Sequence, residues 1–549
     1  MQIGSLKNNI KTAIHAGRRR WKLLIGLFLL GTTLLIFLFY FLWFKPILHQ
    51  KILVLVQQEL ADGGPAQCES LGYSLWGNRI WVAGLNFERR GKGQPASCQA
   101  QIEDIDLRGI DWWSLYFDED LFLDEIHISS PKIKMIGQPF SHTSNQPTRR
   151  QNFQFHIGRI LIEGGSLEYF DAADTTKAVL MLDSFRVLLT DIFPAGKNSQ
   201  NSFEFEGVEL DFQQFNYLTE SHLYAIKADQ ISARSKDRSI RFIGLHYQPQ
   251  VNRERFSQLL GKQKTQLDAS SQFVVLQEVD LPRLLLDKEI DCRLMNMEGF
   301  QFKAFKDKNY PDVPELHALP HSVLMDFDRY FQIDTIRIQN GRIDYEERGL
   351  GETSISSIYF DQLYASIYNL TNNKSLLEKQ AITVDTRSKF MGTGELSMQF
   401  RFFPLTADSR YTYQGKLQEF TFENINKVLD PRSALVLKSG HVQQLQFEVE
   451  ANKTLSKGTM DFEYSNLKAH VLNKETNRKK GLLTFVANLA TRKENKRSDK
   501  DYRQGQIYFE RTPNKSITHD LWQSVFSGIR STVLTNILLK DELETSRGK

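Results

Sequence analysis

The sequence predicts a mainly β protein held by one N-terminal membrane-spanning helix, and three observations carry that prediction. Short segments alternating between apolar and polar residues recur at about 8–12-residue intervals, the spacing of all-β architectures. The pattern I-x-I-x-x-G-x-[IL]-x-Y occurs twice, at Ile160–Tyr169 and Ile336–Tyr345. Sustained helical periodicity is confined to a few places, the clearest of them near the C-terminus.

The chain begins with a basic tail, residues 1–22, holding Lys7, Lys11, Arg18, Arg19, Arg20 and Lys22 and no acid. Residues 23–44, "LLIGLFLLGTTLLIFLFYFLWF", carry no charge. Roughly 20 apolar residues cross a hydrocarbon core as a helix, so this segment spans. Trp21, Tyr40 and Trp43 stand where interfacial aromatics belong. A secretory signal would have a shorter apolar region and a small-residue cleavage site, which Phe41–Pro46 does not supply. The basic excess ahead of the span places the N-terminus in the cytoplasm and the bulk of the chain across the membrane. A juxtamembrane helix is expected over 45–65. Setting the six N-terminal cations aside, 63 basic side chains face 65 acidic ones. That balance speaks against nucleic acid, which demands a concentrated basic field.

Next comes "YSLWGNRIWV", a hairpin about Gly77-Asn78, with a third strand near Cys98. In that meander Cys68 and Cys98 flank the strand around Phe87 from opposite sides. Two strand spacings separate them by about 9–10 Å, too far for a disulfide.

A duplication organises the middle of the chain. Residues 111–134 align without gaps to 280–303 at an offset of 169, with Asp111/Asp280, Leu115/Leu284, Asp118/Asp287 and Lys134/Lys303 identical. "FHIGRILIEGGSLEYFD" (155–171) matches 331–347 at an offset of 176, and "DSFRVLLTDI" (183–192) matches "DQLYASIYNL" (361–370) at 178. The offsets grow through the polar stretches 135–154 and 304–330, where insertions are cheap. Asn340-Gly341 reads as a type I′ turn, with Gly164-Gly165 in its place in the first copy. Each copy is then a hairpin with one apolar face: Ile160, Ile162, Leu167 and Tyr169 in the first, Ile336, Ile338, Ile343 and Tyr345 in the second. The expected organisation is a first β-repeat unit over 66–270 and a second with its extension over 271–473. A basic segment and C-terminal helix occupy 474–549.

Alternation continues through 391–472. Helices are expected near 254–261, 423–430 and 481–490. Trp522, Val525, Phe526, Ile529, Val533 and Ile537 form one apolar stripe at helical spacing, with Ser516 or Thr518 as cap. Docking of that helix on the β-structure is expected, although it could also plug an open sheet end or touch a membrane.

Motifs for catalysis are not found: there is no nucleophile elbow, P-loop or dinucleotide fingerprint. His317 and His321 are four apart, but Pro320 between them spoils a two-histidine metal helix. Asp118-Glu119-Asp120 reads as a turn before a strand rather than a metal cluster. The basic stretch 474–503 suits anionic head groups or a solvated loop equally. No cofactor or metal is expected.

The anchor, the repeated hairpins, "LYASIYNLTN", "KSGHVQQLQFEVEANKTLSKGTMDFEYSNLK" and the closing "GQIYFERTPNKSITHDLWQSVFSGIRS" together resemble the AsmA-like proteins of Gram-negative envelopes. The resemblance covers most of residues 20–540. It implies an inner-membrane protein projecting an elongated, twisted antiparallel β-sheet or groove into the periplasm. It also implies kinship with bridge-like lipid-transfer proteins and a role in envelope maintenance. From the residues alone, the apolar faces fit either a closed sandwich serving as a scaffold for envelope proteins or an open groove. The resemblance points to the groove. Ile160, Ile162, Leu167, Tyr169, Ile336, Ile338, Ile343 and Tyr345 would line it for phospholipid or another acyl-chain lipid.

Overall fold

The computed structural model describes residues 66–74, 77–90, 96–112, 114, 120–137, 154–195, 203–421, 435–471 and 492–534. The basic tail, the apolar span 23–44, the juxtamembrane segment 45–65 and the helices expected at 423–430 and 481–490 lie outside them. Among the described residues no helix is long and apolar enough to cross a membrane. Those residues are mainly β, and they form two compact units. One reaches Leu245 and takes in Glu278–Glu289; the other comprises His246–Gln277 and the chain from Ile290 onward. Helices are few: α1 (Arg253–Leu260), α2 (Leu281–Leu286), α3 (Pro320–Met325), α4 (Lys374–Lys379) and α5 (Ile517–Val533).

The first unit opens with β1 (Ala66–Gln67), β2 (Ser70–Ser74), β3 (Arg79–Arg90) and β4 (Ser97–Arg108). The expected hairpin is present, Ser74 opposite Arg79 with Asn78 at φ 48°. Cys68 and Cys98 are free thiols. β3 lies between them, its Phe87 opposite Ala66 and its Arg89 opposite Cys98. The unit continues through β5 (Leu121–Ser129), β6 (Lys132–Ile136), β7 (Phe155–Phe170), β8 (Ala178–Pro194), β9 (Phe203–Leu218) and β10 (Tyr224–Arg234). β11 (Ser239–Pro249) is next in the chain. In the second unit come β12 (Gln266–Gln277), β13 (Ile290–Glu298), β14 (Gln301–Asp307), β15 (Phe331–Arg348), β16 (Ile355–Thr371), β17 (Ile382–Phe390), β18 (Gly394–Phe402), β19 (Tyr411–Thr421), β20 (Leu435–Ala451), β21 (Leu455–Val471) and β22 (Gly505–Glu510).

Two expectations are corrected. The sheets are mixed, because β5 and β6 pair in parallel with β7, and β13 and β14 in parallel with β15. A parallel neighbour requires a crossover of about a dozen residues or more. The stretch around 317, between β14 and β15, is such a crossover. Secondly, neither Gly164-Gly165 nor Asn340-Gly341 is a turn. β7 and β15 run straight through them as single long strands. A type I′ turn needs positive φ at both residues; here only Gly164 (φ 67°) and Asn340 (φ 51°) have it. Each is the extra residue of a β-bulge, and the register to β8 or β16 shifts there. A turn and a bulge leave the same trace in sequence, since an inserted residue also switches which parity faces inward.

The duplication is visible as equivalent register. β5 and β6 lie end to end, parted at Ser130 (φ 50°); β13 and β14 are parted at Gly299 (φ 64°), 169 positions later. The amide of Ser130 donates to the Glu163 carbonyl at 2.8 Å, and that of Gly299 to Gln339 at 3.1 Å. Ile160 faces Leu189 and Ile162 faces Val187; in the second copy Ile336 faces Ile367 and Ile338 faces Ala365. The Asp111 carboxylate accepts from the Ser114 amide at 3.1 Å, as Asp280 does from Arg283 at the head of α2, also at 3.1 Å. The structure extends the repeat upstream, where the sequences hardly agree. Asp104 pairs with Ser129 as Phe273 pairs with Glu298.

Candidate functional site

The site is built from strand alternation alone. In the first unit the register aligns Leu107, Ile126, Ile160, Leu189 and Val208 in one row across five strands. Ile105, Ile128, Ile162, Val187 and Leu210 make the next. Beyond the bulge, Ala100, Ile133, Leu167 and Leu182 resume the same face. The extra residue at Gly164 is what keeps Leu167 and Tyr169 beside Ile160 and Ile162. All four of these candidates are buried.

In the second unit one row crosses ten strands: Leu276, Met295, Ile336, Ile367, Val384, Phe400, Tyr413, Val449, Gly458 and Ile507. The adjacent row faces the other way and is polar throughout, from Asn296 and Arg337 through Ser366, Asp385, Gln399, Gln414, Glu448 and Thr459 to Gln506. Within it Gln399 donates to Asp385 at 2.8 Å and accepts from Gln414 at 3.1 Å. The sheet thus has one apolar and one wet face, as the hairpin reading required, but over a far larger span.

Closure of the apolar face is uneven. Over β19–β22 it is sealed: Tyr411, Tyr413, Phe447, Val449, Met460, Phe462 and Ile507 are buried beneath α5. α5 is capped by Ser516, whose hydroxyl accepts from the His519 amide at 3.4 Å. Its docked ridge is Ile517, Leu521, Val525, Ile529 and Val533. It shares Val525, Ile529 and Val533 with the predicted stripe, whose Phe526 is also buried; Leu521 joins the cluster in place of Trp522, and Ile537 lies outside the described residues. Gly528 permits the close approach, since a Cβ there would stand 2.7 Å from Ile507 and 2.8 Å from Met460. Over β12–β18 the same face is only partly covered. Ile336 is buried, but Ile338, Ile343, Tyr345, Met295, Ile367, Val384 and Phe400 keep some exposure.

The connection between β14 and β15 serves as a strap on this apolar side. Near its start the Gln263 side-chain amide donates to the Tyr310 carbonyl at 2.9 Å. Asp312 pairs with Lys515, and the His317 amide donates to the Pro513 carbonyl at 3.0 Å. Leu319 enters the cluster under α5. His321 does not join a metal site. Pro320 opens α3, and the His321 ring lies 5.2 Å from Phe402, its Nε2 donating to the Ser409 carbonyl at 3.1 Å. Burial holds this imidazole below the usual histidine range, so it is neutral. Among the described residues no group of His, Cys, Asp and Glu could hold a metal ion.

Sequence reasoning found the apolar face in β7 and β15 but missed its continuation through Ile367, Val384 and Phe400. The alternation I-x-V at 382–384 and F-x-F at 400–402 was the available signal. No protein-family model matches the chain, and no curated protein matches it.

Proposed function

We propose that this protein is a non-enzymatic, membrane-anchored component of the Gram-negative envelope that binds or guides acyl-chain lipid along the apolar face of its β-sheet. In this reading residues 23–44 hold it in the inner membrane with the N-terminus in the cytoplasm. The bulk of the chain is then periplasmic. The observation that carries the reading is the partly open stretch of apolar face over β12–β18. A sheet face of that extent needs a partner, and among the described residues α5 covers only the β19–β22 end. The resemblance to AsmA-like proteins supports the same assignment.

The test is direct. The full chain, purified in detergent, should carry phospholipid or another acyl-chain lipid that mass spectrometry detects after extraction. Replacing Ile338, Ile343 and Val384 together by Asn should leave the β-sheet circular dichroism in place while bound lipid falls. A lipid-free wild type would overturn the proposal.

A second reading has its own observation. The full burial of Ile160, Ile162, Leu167 and Tyr169 suits a packed core, and a scaffold acting through envelope proteins needs nothing more. An unfolded triple variant alongside a lipid-free wild type would favour it.

A further inference from the structure

Where β14 and β15 end, the apolar face of the second unit gives way to charged side chains. On β14, Phe302, Ala304 and Lys306 alternate in one direction, and their register partners on β15 are Ile343, Tyr345 and Glu347. Lys306 therefore extends the lining formed by Ile343 and Tyr345. It is half-buried, and that burial lowers the affinity of its amine for a proton. Among the described residues no carboxylate forms an ion pair with it. The two nearest acids are already engaged. Glu347 binds Lys308 at 2.5 Å and accepts from the Tyr345 hydroxyl at 2.9 Å, while Asp312 is held by Lys515. Lys308 and Lys515 both lie close enough to act on Lys306 by their charge. Three ammonium groups against two carboxylates leave one positive charge at the rim of an apolar surface.

A half-buried lysine without a partner is costly unless something anionic arrives. Its aliphatic stem lies with the apolar lining while its head group seeks an acceptor. We propose that Lys306, with Lys308 and Lys515 beside it, receives the singly charged phosphodiester head group of a lipid whose acyl chains lie on Ile343 and Tyr345. The inference rests on the lipid-binding reading of this face and adds a preference to it: anionic phospholipid over zwitterionic. The single excess charge matches one phosphodiester, and the apolar rows running from that rim match its chains.

The full chain in detergent is titrated with fluorescent phosphatidylglycerol and phosphatidylcholine of identical acyl chains, and separately with inorganic phosphate. The wild type should prefer phosphatidylglycerol by about tenfold, the worth of one charge-assisted contact. Lys306→Met, which keeps the apolar stem, should bring the two lipids level by weakening phosphatidylglycerol more than phosphatidylcholine, whose phosphodiester is balanced by its own choline, and Lys306→Arg should keep the preference. Should Lys306→Met lose its circular dichroism, Lys308→Gln with Lys515→Gln reads the same preference. A preference that survives removal of the lysines overturns the head-group site while leaving the lipid-binding face intact. Displacement of phosphatidylglycerol by inorganic phosphate at equal concentration would identify a free-anion site and overturn it too. If the wild type binds neither lipid, the reading of the face itself fails, and the head-group site with it.

Discussion

Asn340 holds φ at 51° in the middle of a strand, and the Tyr364 hydroxyl donates to its side-chain oxygen at 2.8 Å. Asparagine tolerates that left-handed conformation where a β-branched residue does not. Asn340→Val should therefore cost about 1–3 kcal/mol of stability, read as a lower denaturation midpoint. Asn340→Gly should cost much less, as glycine at the equivalent Gly164 already shows (φ 67°). Equal losses for both would mean that the Tyr364 contact, not the backbone, is what matters at this position. The same residue marks where sequence reading reached its limit. The switch of parity between Ile338 and Ile343 is legible in the letters, and so was the shared apolar face it creates. What the letters do not carry is whether the chain reverses there or continues. That depends on Gln339 meeting Gly299 across a parallel ladder, a partner 40 residues upstream.

At the scale of elements, α5 does two jobs at the end of the second unit. It covers the aromatic end of the apolar face, and it also shields the free edge of β22. The Ser531 hydroxyl accepts from the Gln506 amide at 2.7 Å, and Ser527 from Tyr508 at 3.2 Å. An exposed edge beside an apolar face is a template for another chain. The buried Arg511–Asp520 pair, 2.9 Å apart, fastens the first turn of α5 beside that edge. Ending the chain at Ser516 should therefore yield oligomers or aggregates in place of the wild-type species, measured by sedimentation velocity in matched detergent. An unchanged distribution would mean that the edge is protected by other means. Helical periodicity and the Ser516 cap were readable without coordinates. So were Val525, Ile529 and Val533 of the docked ridge; that Leu521 joins them in place of Trp522 was not, because that choice is made by the surface of β21 and β22. Gly528 opens the way for Met460 and Ile507 there.

For the whole molecule, the duplication supplies a controlled comparison, since Leu167 and Ile343 occupy equivalent register positions opposite Leu182 and Phe360. One is 1% exposed and the other keeps part of its surface open. Local sequence could not separate them, because both copies alternate alike and the difference lies in how far each face is covered. If the first unit's face is a core and the second's a binding surface, the same chemical change should have opposite consequences. Leu167→Ala removes a buried side chain and should cost about 2–5 kcal/mol by lost burial and an unfilled cavity. Ile343→Ala gives up only part of that burial and should cost distinctly less, while reducing the lipid carried by the purified chain. Urea denaturation and lipid extraction on the two variants decide the matter. Equal destabilisation with no change in lipid would make both faces core and remove the reason to assign the second unit a ligand. A stable Ile343→Ala variant depleted of lipid would place binding on the unit whose face is left partly uncovered.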